Sequence, residues 1–332
     1  MSSHITLAHG NGGRLMRELI EEVFARQLGA AQLDTSADAV PLALEAGSVM
    51  ITSDSFTVTP LSFPGGDIGS LAIHGTVNDL AVSGATPRYL TLNAIIEEGF
   101  AVAQLRTLIA SLARTAHECG VCVVAGDTKV VPRGEGSGLY LATTGIGFRP
   151  TSVTLGMQHI AAQDRIIVSG PVGDHGTAVM LAREQFGLRG ELRSDCASVL
   201  PLTLAARELP GVHFMRDPTR GGVATVMHEI ARARGLGVRL QETAIPVNDS
   251  VRTVCEMLGY DPLFLACEGR VVAVAAAQVT EQLLQCWHAL DAGRGAVVIG
   301  TITGSGGVVL ETALGGERLL AELEEDPLPR IC

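Results

Sequence analysis

Four aspartates in this chain stand where an apolar stretch ends, the place where a carboxylate meets whatever binds beyond. Asp54 follows the apolar residues 49–52, and Asp79 interrupts an otherwise apolar helical run, Thr76-Val77-Asn78-Asp79-Leu80. Asp127 follows residues 121–125 in Ala125-Gly126-Asp127-Thr128-Lys129, and Asp217 follows residues 212–215 in Arg216-Asp217-Pro218-Thr219-Arg220. Side chains at strand ends converge in the crevice where α/β proteins bind ligands. Several carboxylates without His or Cys beside them suit a hard cation, and Mg2+ usually arrives with phosphates. Aspartate also caps helices and shapes turns, so each position taken alone has a structural reading.

Glycines precede three helices, at Gly10-Asn11-Gly12-Gly13, Gly65-Gly66 and Gly221-Gly222. Glycine lets main-chain N–H groups and a helix N-terminus come close to phosphate oxygens. No Walker loop is present, and no strand–Gly-x-Gly-x-x-Gly–helix unit supports a dinucleotide fold. Lys129 and Glu268 are the acid/base candidates. Lys129 follows a Gly-Asp turn, where a cation would meet phosphate. Glu268 sits between two apolar runs, where burial would raise its pKa toward general-base values; a hairpin-turn residue is the alternative. Cys119-Gly-Val-Cys122 closes a helix, whereas a redox pair usually opens one, so buried structural thiols are expected. The sequence ends Pro329-Arg330-Ile331-Cys332, behind a polar, proline-stiffened stretch. Residues 319–332 fully extended would span on the order of 40 Å, the outline of a mobile arm carrying a thiol.

These residues need a frame. The 332 residues suffice for two domains, and 47% hydrophobic composition with 39 glycines suits buried sheets and tight turns. A net charge of −11 without a basic run argues against nucleic acid. No apolar run approaches a membrane span, no leader pattern opens the chain, and seven cysteines, an odd count, suggest reduced thiols in the cytoplasm. The periodicity predicts helices over 13–28, 67–83, 101–118, 175–186, 222–234 and 279–290. Strands are predicted at 49–52, 89–96, 121–125, 139–148, 165–169 and 212–215, with others near 263–275 and 296–303, and residues 134–138 read as a hairpin loop. Arg149-Pro150 divides the chain into domains 1–150 and 151–318, with 319–332 as the tail. Gly66-Asp67-Ile68-Gly69 and Gly173-Asp174-His175-Gly176 each open a helix, a faint echo between the halves.

In order along the chain, His9-Gly-Asn-Gly-Gly13, Ser53-Asp54-Ser55-Phe56, Gly65-Gly66-Asp67-Ile68-Gly69, Asn78-Asp79-Leu80-Ala81, Ala125-Gly126-Asp127-Thr128-Lys129, Gly173-Asp174-His175-Gly176, Arg216-Asp217-Pro218-Thr219-Arg220-Gly221-Gly222 and Pro329-Arg330-Ile331-Cys332 resemble the HypE family. These are the carbamoyl dehydratases of NiFe-hydrogenase maturation, in the superfamily of aminoimidazole ribonucleotide synthetase, selenophosphate synthetase and thiamine-monophosphate kinase. The Gly-Asp pieces are shared across the superfamily, and the final cysteine singles out this member.

The resemblance implies an α/β (α+β) fold of two aminoimidazole ribonucleotide synthetase-like domains with a flexible C-terminal tail, assembled as a homodimer. It implies ATP with Mg2+, the metal on Asp54, Asp79, Asp127 and Asp217. Nucleotide would be held by Gly10, Asn11, Gly12, Gly13, Gly65, Gly66, Asp67, Asn78, Gly126, Thr128, Thr219, Arg220, Gly221 and Gly222. Cys332 would carry an S-carbamoyl group placed by the carbamoyltransferase HypF, and Lys129 and Glu268 would serve its ATP-dependent dehydration to S-cyanide, delivered to iron on HypC–HypD. A small-molecule kinase of the superfamily would not need Cys332, and a non-enzymatic thiol carrier would not need Asp54 or Asp79.

Overall fold

The computed structural model describes residues 3–10, 14–29, 46–183, 192–323, 328 and 331–332. Asn11, Gly12 and Gly13, together with tail residues 324–327 and 329–330, lie outside the described residues.

Strands β1 (Ser48–Phe56), β2 (Thr86–Glu97), β3 (Cys122–Val131) and β4 (Leu139–Arg149) form the first sheet, in the order β1-β4-β2-β3. Only the β2/β3 pair is parallel. Alternation decides the faces: Leu90, Leu92, Ala94 and Ile96 of β2 are buried beneath helices α1 (Ile68–Val82) and α2 (Val102–Glu118). The apolar stripe of α2, Leu105, Leu108, Ile109 and Leu112, meets this core as its period predicts. Helix α1 is apolar nearly all round because it is buried nearly all round. It starts at a capping box, with Ser70 N–H donating to Asp67 Oδ1 at 2.9 Å and Asp67 N–H to Ser70 Oγ at 3.0 Å. Such a cap is worth about 1 kcal/mol. The other face of the sheet leaves Val49, Ile51 and Ile95 exposed.

Because β2 lies between β3 and β4, residues 134–138 form a crossover loop and not the expected hairpin. Glu97, at the end of the intervening strand, pins the loop by accepting N–H bonds from Gly134 (2.7 Å) and Gly138 (2.9 Å). The N-terminal helix also departs from regularity. Residues Arg14–Leu19 and Arg26–Leu28 are α-helical, but Ile20–Ala25 between them are π-helical.

The second sheet has seven strands: β5 (Arg165–Val168), β6 (Val212–Arg216), β7 (Gly237–Gln241), β8 (Val272–Ala275), β9 (Val297–Thr303), β10 (Val308–Glu311) and β11 (Glu317–Leu319). Their order is β11-β10-β7-β9-β5-β8-β6. All four residues of β8 are buried because helices cover both faces. Helix α5 (Gly222–Arg234) packs on one face, and α4 (Leu200–Arg207) with α7 (Thr280–His288) on the other. The Trp287 indole N–H locks the second pair by donating to Leu202 O at 3.0 Å. Helices α3 (Asp174–Ala182) and α6 (Asp249–Leu258) join the first core. Among the described residues no helix is long and apolar enough to cross a membrane.

Both Gly-Asp pieces open helices, but one position out of step. Asp67 caps α1, whereas Asp174 is already inside α3 and accepts from Asn248 Nδ2 at 2.8 and 3.0 Å. The end of the chain is not a solvated arm throughout. Leu328 and Ile331 are buried in the first core, whose apolar surface outweighs the polar character of the preceding stretch.

Candidate active site

Asp54 lies on β1 with Thr52 and Phe56 on the face that meets α1, which brings its carboxylate against Asp79. Thr52 Oγ1 donates to Asp79 Oδ2 at 2.7 Å and sets that side chain. Asp217 follows the end of β6, the edge strand of the second sheet, and lines the same small cavity as Asp54 and Asp79 from the other half of the molecule. Burial first, then the charge of Asp79, pushes the Asp54 carboxyl up to about 7. The same two causes push Asp217 up to about 7, with Arg216 offsetting part of the shift. Carboxylates forced together in this way favour a bound cation.

Glu268 occupies the bend before β8 and is 3% exposed. Burial pushes its carboxyl well above the ordinary range, and the charges of Asp217, Asp195, Asp54 and Asp79 add to the shift. Its main chain and that of Gly269 are held by two side chains. Asp195 accepts N–H bonds from Glu268 (3.1 Å) and Gly269 (3.3 Å), and Asn78 Nδ2 donates to Glu268 O at 3.1 Å.

Two cavities meet at these residues. A cleft of about 590 Å³ is bounded by Met50, Leu155, Met215, Arg216, Thr225 and others, a size suited to a nucleotide-sized ligand. A smaller one, about 40 Å³, contains Glu268, Asp217 and Cys332 in its lining. Asp54, Asp79, Thr219 and Arg220 line both and form the wall between them.

Cys332 reaches this wall because its own chain docks there. Thr57 N–H donates to Cys332 O at 2.9 Å, the Thr57 hydroxyl adds a bond at 3.2 Å, and Ile331 O is bonded to His175 Nε2 at 2.9 Å. The charge of Cys332 and a hydrogen bond to it raise the Arg220 pKa further, so the guanidinium is firmly cationic.

Of the residues singled out in the sequence, Asp54, Asp79, Asp217, Thr219, Arg220, Glu268 and Cys332 are brought together. Asp127 and Lys129 are not. They stand on β3, directly across from Asn93 and Ile95 of β2, and so on the face away from α1. They pair with each other at 3.0 Å and are more than half exposed. Within one chain β1 and β3 are opposite edges of the sheet, three strand spacings or roughly 14 Å apart.

Several glycine and polar candidates are consumed by packing and line neither cavity. Asn78 is saturated, giving Nδ2 to Ala197 O and Glu268 O while Oδ1 accepts from Val199 N–H. It braces the two halves and has no group left for a phosphate. Gly65, at φ +102°, lets its backbone approach Ser194, whose oxygen would lie 2.7 Å from an added Cβ. Gly66 packs on Phe63, Gly126 lies against Leu92 O, and Asp67 is the α1 cap. Gly10 abuts Val130, and Thr128 is buried in β3. Gly221 and Gly222 start α5 behind Thr219 and Arg220. Cys119 is a buried thiol pushed up to about 11, as a structural cysteine should be. Sequence reasoning missed Thr52, Thr57 and Asp195, and gave His175 no role. Asp195 in particular carries no local signal, lying in an irregular stretch between helices.

The AIR synthase related protein N-terminal domain family matches residues 36–148, and the corresponding C-terminal domain family matches residues 161–312. Carbamoyl dehydratase HypE of Escherichia coli K12 is 45% identical over 335 residues, covering 99% of this chain and 100% of that protein. A solved structure of hydrogenase maturation protein HypE in complex with ATP superposes with a TM-score of 0.93 at 41% identity, covering 98% of this chain and 99% of the other. The HypE chain in a solved HypE–HypF complex superposes with a TM-score of 0.81 at 41% identity, over 92% of this chain and 99% of that one. With matches spanning both halves, this chain belongs to the HypE carbamoyl dehydratase family of AIR synthase related proteins.

Proposed function

We propose that this protein uses ATP to dehydrate an S-carbamoyl group on Cys332 to an S-cyano group, the source of cyanide ligands for hydrogenase iron. The observation that carries the reading is the shared wall: Cys332 and Glu268 stand on one side of Asp54, Asp79, Thr219 and Arg220, and a nucleotide-sized cleft stands on the other. The relative solved with ATP supports the nucleotide, and the HypE–HypF complex supports HypF as the carbamoyl donor. HypC–HypD would receive the cyanide. None of the seven cysteines is joined in a disulfide, in keeping with a cytoplasmic setting.

An amide oxygen is a poor leaving group. Transfer of the γ-phosphoryl group of ATP to the carbamoyl oxygen forms an O–P bond and releases ADP. Arg220 stands in the wall where charge develops on the transferred group. Glu268 takes a proton from the carbamoyl nitrogen, the C–O bond breaks with release of phosphate, and loss of the second N–H proton leaves the nitrile on sulfur. Burial strengthens Glu268 as a base and keeps water from the phosphorylated intermediate.

Mg2+ fits the donor set of Asp54, Asp79 and Asp217 and would neutralise phosphate charge there. Among the described residues no three ligating side chains close round one point. Phosphate oxygens and water would therefore complete its shell, the usual habit of Mg2+.

The homodimer extends this reading. The face of the first sheet away from α1 exposes Val49 and Ile51 at one edge and Ile95 next to Lys129 towards the other, and a second copy would cover it. That pairing supplies a route by which a partner chain's cation and carboxylate approach the phosphates. The test is the pair Cys332→Ala and Asp79→Ala, assayed for S-cyanide with HypF, carbamoyl phosphate and ATP-Mg2+. Both should abolish product, and full activity in either would sink the mechanism.

A further inference from the structure

The dehydratase reading requires Cys332 to leave the site for carbamoylation and return for dehydration, so something must hold the returned tail in register. Two grips are visible. Thr57 holds the last residue, and His175 holds the carbonyl of the residue before it. The His175 grip is the more elaborate. Its ring is fully buried and is held edge-on by Phe63, with centroids 5.3 Å apart at 86°. Nδ1 lies 2.8 Å from Ser194 Oγ, and Nε2 lies 2.9 Å from Ile331 O.

A neutral imidazole carries one N–H. Ile331 O can only accept, so that hydrogen is on Nε2, and Nδ1 must accept from the Ser194 hydroxyl. Ser194 Oγ in turn accepts from Cys196 N–H at 3.0 Å, which leaves its own hydrogen for the imidazole. Burial, which pulls the His175 pKa down, keeps the ring neutral. The next residue, Asp195, holds the main chain of Glu268, and Ser194 N–H donates to Pro64 O at 2.8 Å. One short segment therefore ties the tail, the base and the first half of the molecule together.

We infer that His175, with its tautomer set by Ser194, is a latch that grips the tail one residue before Cys332 and positions the carbamoylated thiol beside Glu268. His175 is a positioning residue, since it touches the tail main chain and not the reacting group. The inference rests on the dehydratase reading for its purpose, but the grip can be measured without it.

The experiment uses the full chain with His175→Ala, Ser194→Ala and His175→Gln. Peptide mass spectrometry follows alkylation of Cys332 by iodoacetamide. In parallel, carbamoylation by HypF and single-turnover dehydration with ATP-Mg2+ are timed. Loss of one hydrogen bond predicts Cys332 alkylation about tenfold faster in His175→Ala. Dehydration should slow as well, by no more than this factor and by less the more tightly the carbamoylated tail docks, while carbamoylation is not slowed. Ser194→Ala should shift both in the same directions by less, and it decides the matter if His175→Ala does not fold. His175→Gln keeps an N–H near the Nε2 position and should recover most of the loss. Wild-type alkylation and dehydration in a folded His175→Ala protein would overturn the latch. So would slow dehydration with Cys332 no more accessible, which is the mark of a general structural role. If the wild-type chain never dehydrates its adduct, the functional reading fails, and the alkylation rates still decide the latch.

Discussion

Asp54 and Asp127 look alike in the sequence: each follows an apolar stretch, and each is flanked by small residues. In the fold they part company. Asp54 faces α1, is crowded by Asp79 and Asp217, and is held at about 7 by burial and repulsion. Asp127 faces away, is half exposed, and is already neutralised by Lys129. Both strands run on past the ends expected from the sequence, so each aspartate lies within its strand, and the difference teaches that such a carboxylate becomes a functional candidate through its face and its neighbours. Side-chain parity decides the face, and here a bulge between Leu90 and Thr91 shifts the β2/β3 register just before Asp127.

The sharpest way to break the comparison is to remove charges on each side of it. Glu268→Gln, at the buried site, should slow dehydration by about 10²–10⁴-fold, read as carbamoylated Cys332 that accumulates while carbamoylation proceeds. Lys129→Ala, on the exposed face, separates two accounts. If a second copy brings Lys129 to the site, the variant is strongly impaired, and mixing it with Glu268→Gln restores activity, because mixed dimers contain one intact pairing. If Lys129 serves only Asp127, the variant stays near wild type and mixing changes nothing.

A smaller effect concerns pH. Asp54 and Asp217 titrate near 7 when folded against an ordinary value of 3.8. The folded state therefore binds more protons than the unfolded chain across that window, and the two groups cost stability as pH rises through it. Without a divalent cation, Asp54→Asn should raise the melting temperature at pH 8 and change it little near pH 4. Mg2+ should protect wild type better at pH 8 than at pH 6, where protons compete for the same oxygens. Calorimetric scans with and without Mg2+ check both signs. Asp127→Asn, exposed and paired, should show neither.

The smallest effect is structural. Asn78→Ala leaves Val199 N–H and the Glu268 carbonyl without their buried partner, at a cost of about 1–3 kcal/mol. Urea unfolding should show it as a lower midpoint.

Much of the site was legible because it lies on strongly patterned elements. The 3.6 period of α2 and the alternation of β2 located the first core, and the strand before Asp217 located the second approach to the cluster. The packing partners of Asn78 and Gly65 left no local signal: Val199 and Ser194 lie over a hundred positions away, in a segment with no period. Helix Leu200–Arg207 and strand Gly237–Gln241 escaped because each is short and held by tertiary packing rather than by propensity. The docked tail was hidden for a related reason. Two buried apolar residues, Leu328 and Ile331, decide its place within a stretch whose composition is polar.

The central claim is that Cys332 carries the group this site transforms. The most direct test is a mass spectrum of the C-terminal peptide after incubation with HypF and carbamoyl phosphate, with ATP-Mg2+ added or withheld. The account predicts a carbamoyl adduct on Cys332 that loses one water only when ATP-Mg2+ is present. An adduct that never loses water, or no adduct with a carbamoyltransferase proven active on a control, would contradict it.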